Sequence, residues 1–217
     1  MKLTENTINT LKNFSTINAG LVMKEGRIQK TISPEQTVLV EAELEEDFPM
    51  TFGIYDLNRF LGNITTLDSP ELVFHDKYME MKDSVTTLKY FYCDTDNVDS
   101  PPDKALSIEN PTASFELNNT AFNKLLRLAN LNTLPNLTVV GKDGGISLQV
   151  HDKNNDLSNQ ASMRLCDYSG TDFTACFKAD HLKMIPDDYS VKLIQDKFAL
   201  FEAKNRKLKY FIALLTK

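Results

Sequence analysis

Three cysteines are scattered through the 217 residues, at Cys93, Cys166 and Cys176, and no CxxC spacing occurs. That excludes a disulfide framework and a cysteine-built zinc site, and makes a reducing cytoplasm the expected setting. Histidine is as scarce: His75, His151 and His181 lie far apart, each near a turn or loop, and read as solvated surface residues. No HExxH, GxSxG or Walker A pattern is present. The run Gly141-Lys142-Asp143-Gly144-Gly145 has the wrong order for a phosphate loop and reads as turn chemistry. Asp94, Asp96 and Asp99 lack the glycine and terminal glutamate of an EF-hand loop. No catalytic residue, metal or cofactor is therefore expected. Long apolar runs are missing too: the longest near the end covers residues 211–215, too short to span a membrane. The opening MKLTENTINT is polar, so no signal peptide is expected. Positive charge is in deficit, with a net charge of −6, which taken alone argues against a nucleic-acid binder.

What is present is a duplication. Residues 76–91 read DKYMEMKDSVTTLKYF and residues 196–211 read DKFALFEAKNRKLKYF, at a constant offset of 120. Asp76/Asp196, Lys77/Lys197, Leu88/Leu208, Lys89/Lys209, Tyr90/Tyr210 and Phe91/Phe211 are identical, and Tyr78/Phe198 is an aromatic exchange. Polar turns separate short runs rich in β-branched and aromatic residues, the pattern of a β-meander. A solenoid unit is roughly 20–50 residues long, so this repeat is a duplicated domain. With 41% apolar residues, each half can bury its own core.

Taken in order, residues 4–17 read as a helix capped by Thr4, with Glu5 at its positive end and Leu3, Ile8, Leu11 and Phe14 on one face. Residues 21–32 read as two strands and 37–44 as a third. An acidic turn at 45–47 then leads to a strand at 48–54. A second helix over 55–67 carries Leu57, Phe60, Leu61 and Ile64, and the first meander fills 71–93. Residues 94–112, with three prolines and many acids, form a connector between domains 1–93 and 113–217. The second half repeats the order. A helix over 117–131 aligns Phe122, Leu125 and Leu128 with Ile8, Leu11 and Phe14. A hairpin spans 137–150, a polar loop 151–160, and strands 162–168 and 172–177; a short helix over 178–185 precedes the closing meander. Each half is thus two helices packed on antiparallel sheet, an α+β fold with helices on one side.

The charge is unevenly spread. The four expected helices hold Lys12, Arg59, Lys124, Arg127, Lys178 and Lys183 against Glu5, Asp56 and Asp180, and so are net positive in an acidic chain. At about 100° per residue the basic side chains point off the apolar stripes.

The opening MKLTENTINTLKNFSTINAG, the stretch FGIYDLNRFLG at 52–62 and NKLLR at 123–127 resemble the DNA polymerase sliding clamps of large tailed bacteriophages. The resemblance extends over the whole chain in length, helix order and duplication. It implies a ring of three subunits, similar in shape to proliferating cell nuclear antigen, with helices lining the hole and sheets outside. It implies duplex DNA in the hole, held topologically, with Lys12, Arg59, Lys124, Arg127 and Lys183 facing it, and Lys178 as a further candidate. It also implies an ATP-driven clamp loader, a replicative polymerase whose terminal peptide enters an apolar pocket, and a role in phage late transcription, all inside the infected bacterial cell. Ile32, Val38, Leu106, Ile108, Ile212 and Leu214 are the pocket candidates, although plain core packing suits each of them equally well. The edge strands at 85–92 and 162–165 are candidates for the subunit joint. Few basic residues per helix, with the acids Glu5 and Asp56 also in the lining, imply a weak, salt-sensitive grip. The rival reading is a non-catalytic virion or scaffold protein of duplicated β-rich domains, which leaves the basic bias of the helices without a role.

Overall fold

The computed structural model describes residues 1–102 and 108–215. The chain divides into two compact units, Met1–Asp103 and Lys104–Lys217; the division falls within residues 94–112.

In the first unit, α1 (Glu5–Ser15) begins at Thr4, whose hydroxyl accepts the Thr7 N–H. Leu11 and Phe14 are fully buried as the spacing requires, but Ile8 and Leu3 are only half-buried, and Thr7 and Thr10 are buried in their place. The cause lies beneath the helix. β1 (Leu21–Met23) is followed by β2 (Gly26–Ile32) and β3 (Val38–Phe48). β2 and β3 pair antiparallel, whereas β1 pairs with β4 (Phe52–Ile54). β3 runs straight through residues 45–47, where a turn was expected. Its alternation continues, with Leu44, Glu46 and Phe48 buried and Glu45 and Asp47 exposed. The strand ends instead at Phe48, just before Pro49. A carboxylate can occupy the inward position because it is satisfied there: Glu46 accepts the Thr4 N–H and the Thr7 hydroxyl. A single side chain from β3 therefore closes the amino end of α1.

α2 (Leu57–Thr66) is capped by Asp56, which accepts the Arg59 N–H at 2.9 Å. It buries Leu57, Phe60, Leu61 and Ile64, the stripe read from the sequence. α1 packs against both α2 and β3. The meander follows as β5 (Glu71–Phe74), β6 (Tyr78–Lys82) and β7 (Thr87–Phe91), a three-stranded sheet in that order. A 3-10 turn at Thr95–Asn97 comes next, its start fixed by Asp94, which accepts the Asp96 N–H.

The second unit opens on β8 (Ala113–Leu117), which the sequence did not disclose. Leu117, expected to start the helix, ends this strand, and Asn118 caps α3 (Asn119–Leu131) by accepting the N–H groups of Thr120 and Ala121. α3 buries Phe122, Leu125 and Ala129. β9 (Asn136–Lys142) and β10 (Gly145–His151) form the expected hairpin. Its turn places Asp143 and Gly144 at φ of 51° and 75°, the left-handed geometry that glycine adopts without cost. β11 (Ala161–Asp167) and β12 (Phe173–Lys178) complete a sheet of order β11-β10-β9-β12, and α3 packs on β10 and β11.

The helix expected over 178–185 is a 3-10 turn, Ala179–Leu182, and Lys178 belongs to β12. Its backbone donors are taken from outside. The Ala179 N–H binds the Pro135 carbonyl at 2.9 Å, the Ile185 N–H binds the Tyr210 hydroxyl at 3.0 Å, and Pro186 bars extension. Burial raises the Tyr210 phenol above its usual pKa. The closing meander, β13 (Tyr189–Ile194), β14 (Phe198–Ala203) and β15 (Leu208–Ala213), has β8 alongside β13. The repeat is structural. Tyr78 and Phe198 open β6 and β14, and Lys89-Tyr90-Phe91 and Lys209-Tyr210-Phe211 fall in β7 and β15.

Glu46→Leu leaves the Thr4 N–H and the Thr7 hydroxyl without their acceptor. It is expected to destabilise the protein by about 1–3 kcal/mol, measured as a lower urea midpoint with an unchanged m-value.

Candidate nucleic-acid interface

Each α-helix places its polar caps and apolar stripe so that its basic residues remain outside. Lys12 is in the last turn of α1, Arg59 at the start of α2, and Lys124 and Arg127 on consecutive turns of α3. All four are exposed, and so are Lys178 and Lys183. The three α-helices contain one acid, Glu5, so they carry a net +3 in a chain of −6. Asp56, counted with the second helix in the sequence, is its cap.

The cations are not equally available. Arg59 lies 3.9 Å from Asp56 and Lys183 lies 3.5 Å from Asp180. Both pairs are well exposed, and such pairs contribute only about 0–1 kcal/mol, so either can yield to a stronger anion. Lys12, Lys124 and Arg127 make no ion pair with a described residue. Lys12 also lines a groove of about 440 Å³ between α1 and the end of α2, together with Lys2, Glu5, Asn9 and Thr65. The structure thus sets Lys12 and Arg59 on two helices that pack together. It sets Lys124 and Arg127 on one face of a third, and puts Lys178 and Lys183 on a strand end and a loop instead of a helix.

The apolar candidates disperse. Val38 and Ile212 are buried, which suits plain packing. Ile32 ends β2, and Ile32, Ile108 and Leu214 are half-buried. Leu106 lies outside the described residues. The two candidate edges are real ends of sheets. β7 is the last strand of β5-β6-β7, β11 the first of β11-β10-β9-β12, and among the described residues no strand pairs with the outer side of either.

The histidines correct the sequence reading. All three are half-buried. His75 stacks on Tyr78 with centroids 4.6 Å apart, and His151 Nε2 is 2.8 Å from the Thr138 hydroxyl. His75 directly follows β5 and His151 ends β10, and each ring rests against a neighbour. No group of three or more His, Cys, Asp or Glu able to hold a metal occurs among the described residues. The sequence reading also missed exposed apolar residues beside the sheet ends, notably Phe91, 67% exposed, and Val85. The alternation of β7 carried that signal, since Leu88 and Tyr90 turn inward and so Phe91 must turn out.

Cationic helices on duplicated α+β units define a sliding-clamp fold. The structure aligns with A. fulgidus PCNA, solved with the C-terminal region of FEN-1, at a TM-score of 0.75 and 14% identity, covering 100% of this chain and 97% of that one. Residues 3–88 match the family model described as DNA polymerase processivity factor. The chain is 28% identical over 222 aligned positions to the sliding clamp of Vibrio phage KVP40, covering 98% of each. It is 27% identical over 199 to that of Escherichia phage RB69, covering 89% of this chain and 87% of the relative. The chain is thus similar to phage sliding clamps along most of its length and, over residues 3–88, to the DNA polymerase processivity factors.

Because Lys124 and Arg127 are exposed and unpaired, Lys124→Glu with Arg127→Glu is expected to leave folding stability within about 0.5 kcal/mol of the parent. Urea unfolding checks this, and a larger loss would give the two residues a structural role.

Proposed function

We propose that three copies of this chain close into a ring around duplex DNA and tether the replicative polymerase to its template, without catalysis by the clamp itself. The observation that carries this reading is the net positive charge of the exposed helix surfaces in an acidic chain of sliding-clamp fold. DNA presents one negative charge per roughly 1.7 Å of axis. A few long, mobile, exposed cations attract it without fixing a register, as tight phosphate contacts would. In this reading Lys12, Arg59, Lys124, Arg127 and Lys183 face the duplex, contacts pass partly through water, and the ring slides. β7 of one copy joins β11 of the next. The domains are 1–93 and 113–217, with 94–112 as connector.

The partners follow from the same reading. An ATP-dependent loader opens the ring, and the polymerase docks a terminal peptide among Ile32, Leu106, Ile108 and Leu214, with Val38 and Ile212 beneath. Late-transcription factors use the same ring inside the infected bacterium.

The test is processive synthesis over a long primed template. Lys124→Glu with Arg127→Glu is expected to shorten products several-fold at moderate salt, and to make product length less dependent on salt than in the parent, because fewer cations meet phosphate. Products of parental length at every salt concentration would remove these residues from the DNA-facing surface.

A further inference from the structure

Among the described residues, six large apolar side chains are exposed, and four of them flank two of the sheet ends, β7 and β11. Val85 and Phe91 bracket β7. Leu131 ends α3, which packs on β11, and Leu157 stands in the loop leading into β11. Leu157 is 96% exposed, yet the loop around it is tied down. Asp152 accepts the Asn154 N–H at 2.9 Å, and Asn155 accepts the Leu157 N–H at 3.1 Å through its side chain. The Ser158 N–H reaches the Asn155 carbonyl at 3.0 Å, and the Asn159 amide reaches Asn132 at 2.8 Å, fixing the loop to the end of α3. A leucine held out on an ordered polar loop is poised for a partner.

A pocket of about 410 Å³ lies at the carboxyl end of β7, lined by Phe52, Lys77, Phe91, Tyr92 and Cys93 among others. Its floor is rigid. The Phe52 and Tyr92 rings are 4.6 Å apart, and the Cys93 N–H binds the Gly53 carbonyl at 3.0 Å. A Cβ at Gly53 would come within 2.6 Å of the Cys93 carbonyl oxygen, so the backbones can approach this closely only at glycine.

We infer that this pocket receives Leu157 from the neighbouring copy, so that the β10–β11 loop latches each joint of the ring. The inference rests on the ring reading above. Both sheets are antiparallel, and an antiparallel joint sets the Ala161 end of β11 beside the Phe91 end of β7. Leu157 is four residues before Ala161, a reach of up to about 13 Å, and the pocket starts at Phe91 itself. Leu131, beside the same loop, covers the exposed Phe91 ring. The partner is a second copy of this chain because the complementary surfaces, one pocket and one projecting leucine, are both its own, as in a head-to-tail ring.

Cys93 in the pocket provides the test. Leu157→Cys in a full-length Cys166→Ser, Cys176→Ser background, oxidised with copper phenanthroline, is expected to give linked species of two and three chains and none larger. Adding Cys93→Ser should abolish them. In parallel, Leu157→Ser should raise the concentration at which the assembly dissociates roughly tenfold or more, while Ile28→Ser, at an exposed site away from both edges, should not. A protein that sediments as three chains but gives no Cys93-dependent link, with Leu157→Ser associating as the parent does, overturns the latch alone. A parent that never associates, free or on DNA, overturns the ring reading and the latch with it.

Discussion

A strand at the end of a sheet leaves alternate amides and carbonyls without partners, and such an edge either is covered or recruits another strand. Among the sheet ends of the described residues are β7 in the first unit and β11 in the second. They are unlike in sequence: β7 displays Thr87, Lys89 and Phe91, β11 Ser162, Arg164 and Asp167. Unlike edges favour joining head to tail, which closes when the rotation between copies permits and covers both of these edges. The apolar residues gathered beside both edges provide an entropic gain that paired backbone groups alone do not. Much of the proposed function follows from this constraint, because a protein that holds DNA by encirclement needs a closed circuit more than a tight binding site.

Electrostatics supplies the complementary requirement. The chain as a whole is acidic, whereas the three α-helices among the described residues carry a net +3, a local charge that would attract DNA. Screening limits such attraction to about 8–10 Å at moderate salt, so the distant acids of the sheets matter little to a duplex lying against the helices. Two of the six basic residues sit beside local carboxylates, which tempers the pull. Weak local attraction combined with topological retention suits movement along DNA, since nothing has to be broken at each step.

The sequence was most legible where pattern and packing agree. The α2 stripe, the hairpin turn at Asp143-Gly144 and both meanders stand where periodicity and duplication put them. The basic bias of the helices survived even though their ends shifted, because Lys12, Arg59, Lys124 and Arg127 all fall within the observed helices. Failures came where a distant partner decides a local state. Glu45-Glu46-Asp47 reads as a turn until the Thr7 hydroxyl and the Thr4 amide are seen to satisfy Glu46. Residues 178–185 read as a helix until Pro135 and Tyr210 are seen to take their amides. The histidines looked solvated because turns surround them, yet Tyr78 and Thr138 hold two of the rings. The apolar pocket candidates were least legible, since burial as core and burial under a partner leave the same signature in sequence.

The central claim is encirclement, and retention on DNA of defined topology tests it most directly. The account predicts that clamp loaded onto a nicked circular duplex stays bound through gel filtration at a salt concentration that abolishes ordinary binding, and is lost when the circle is cut once with a restriction enzyme. Equal retention on circular and linear DNA, or loss from both at the same salt, would contradict it.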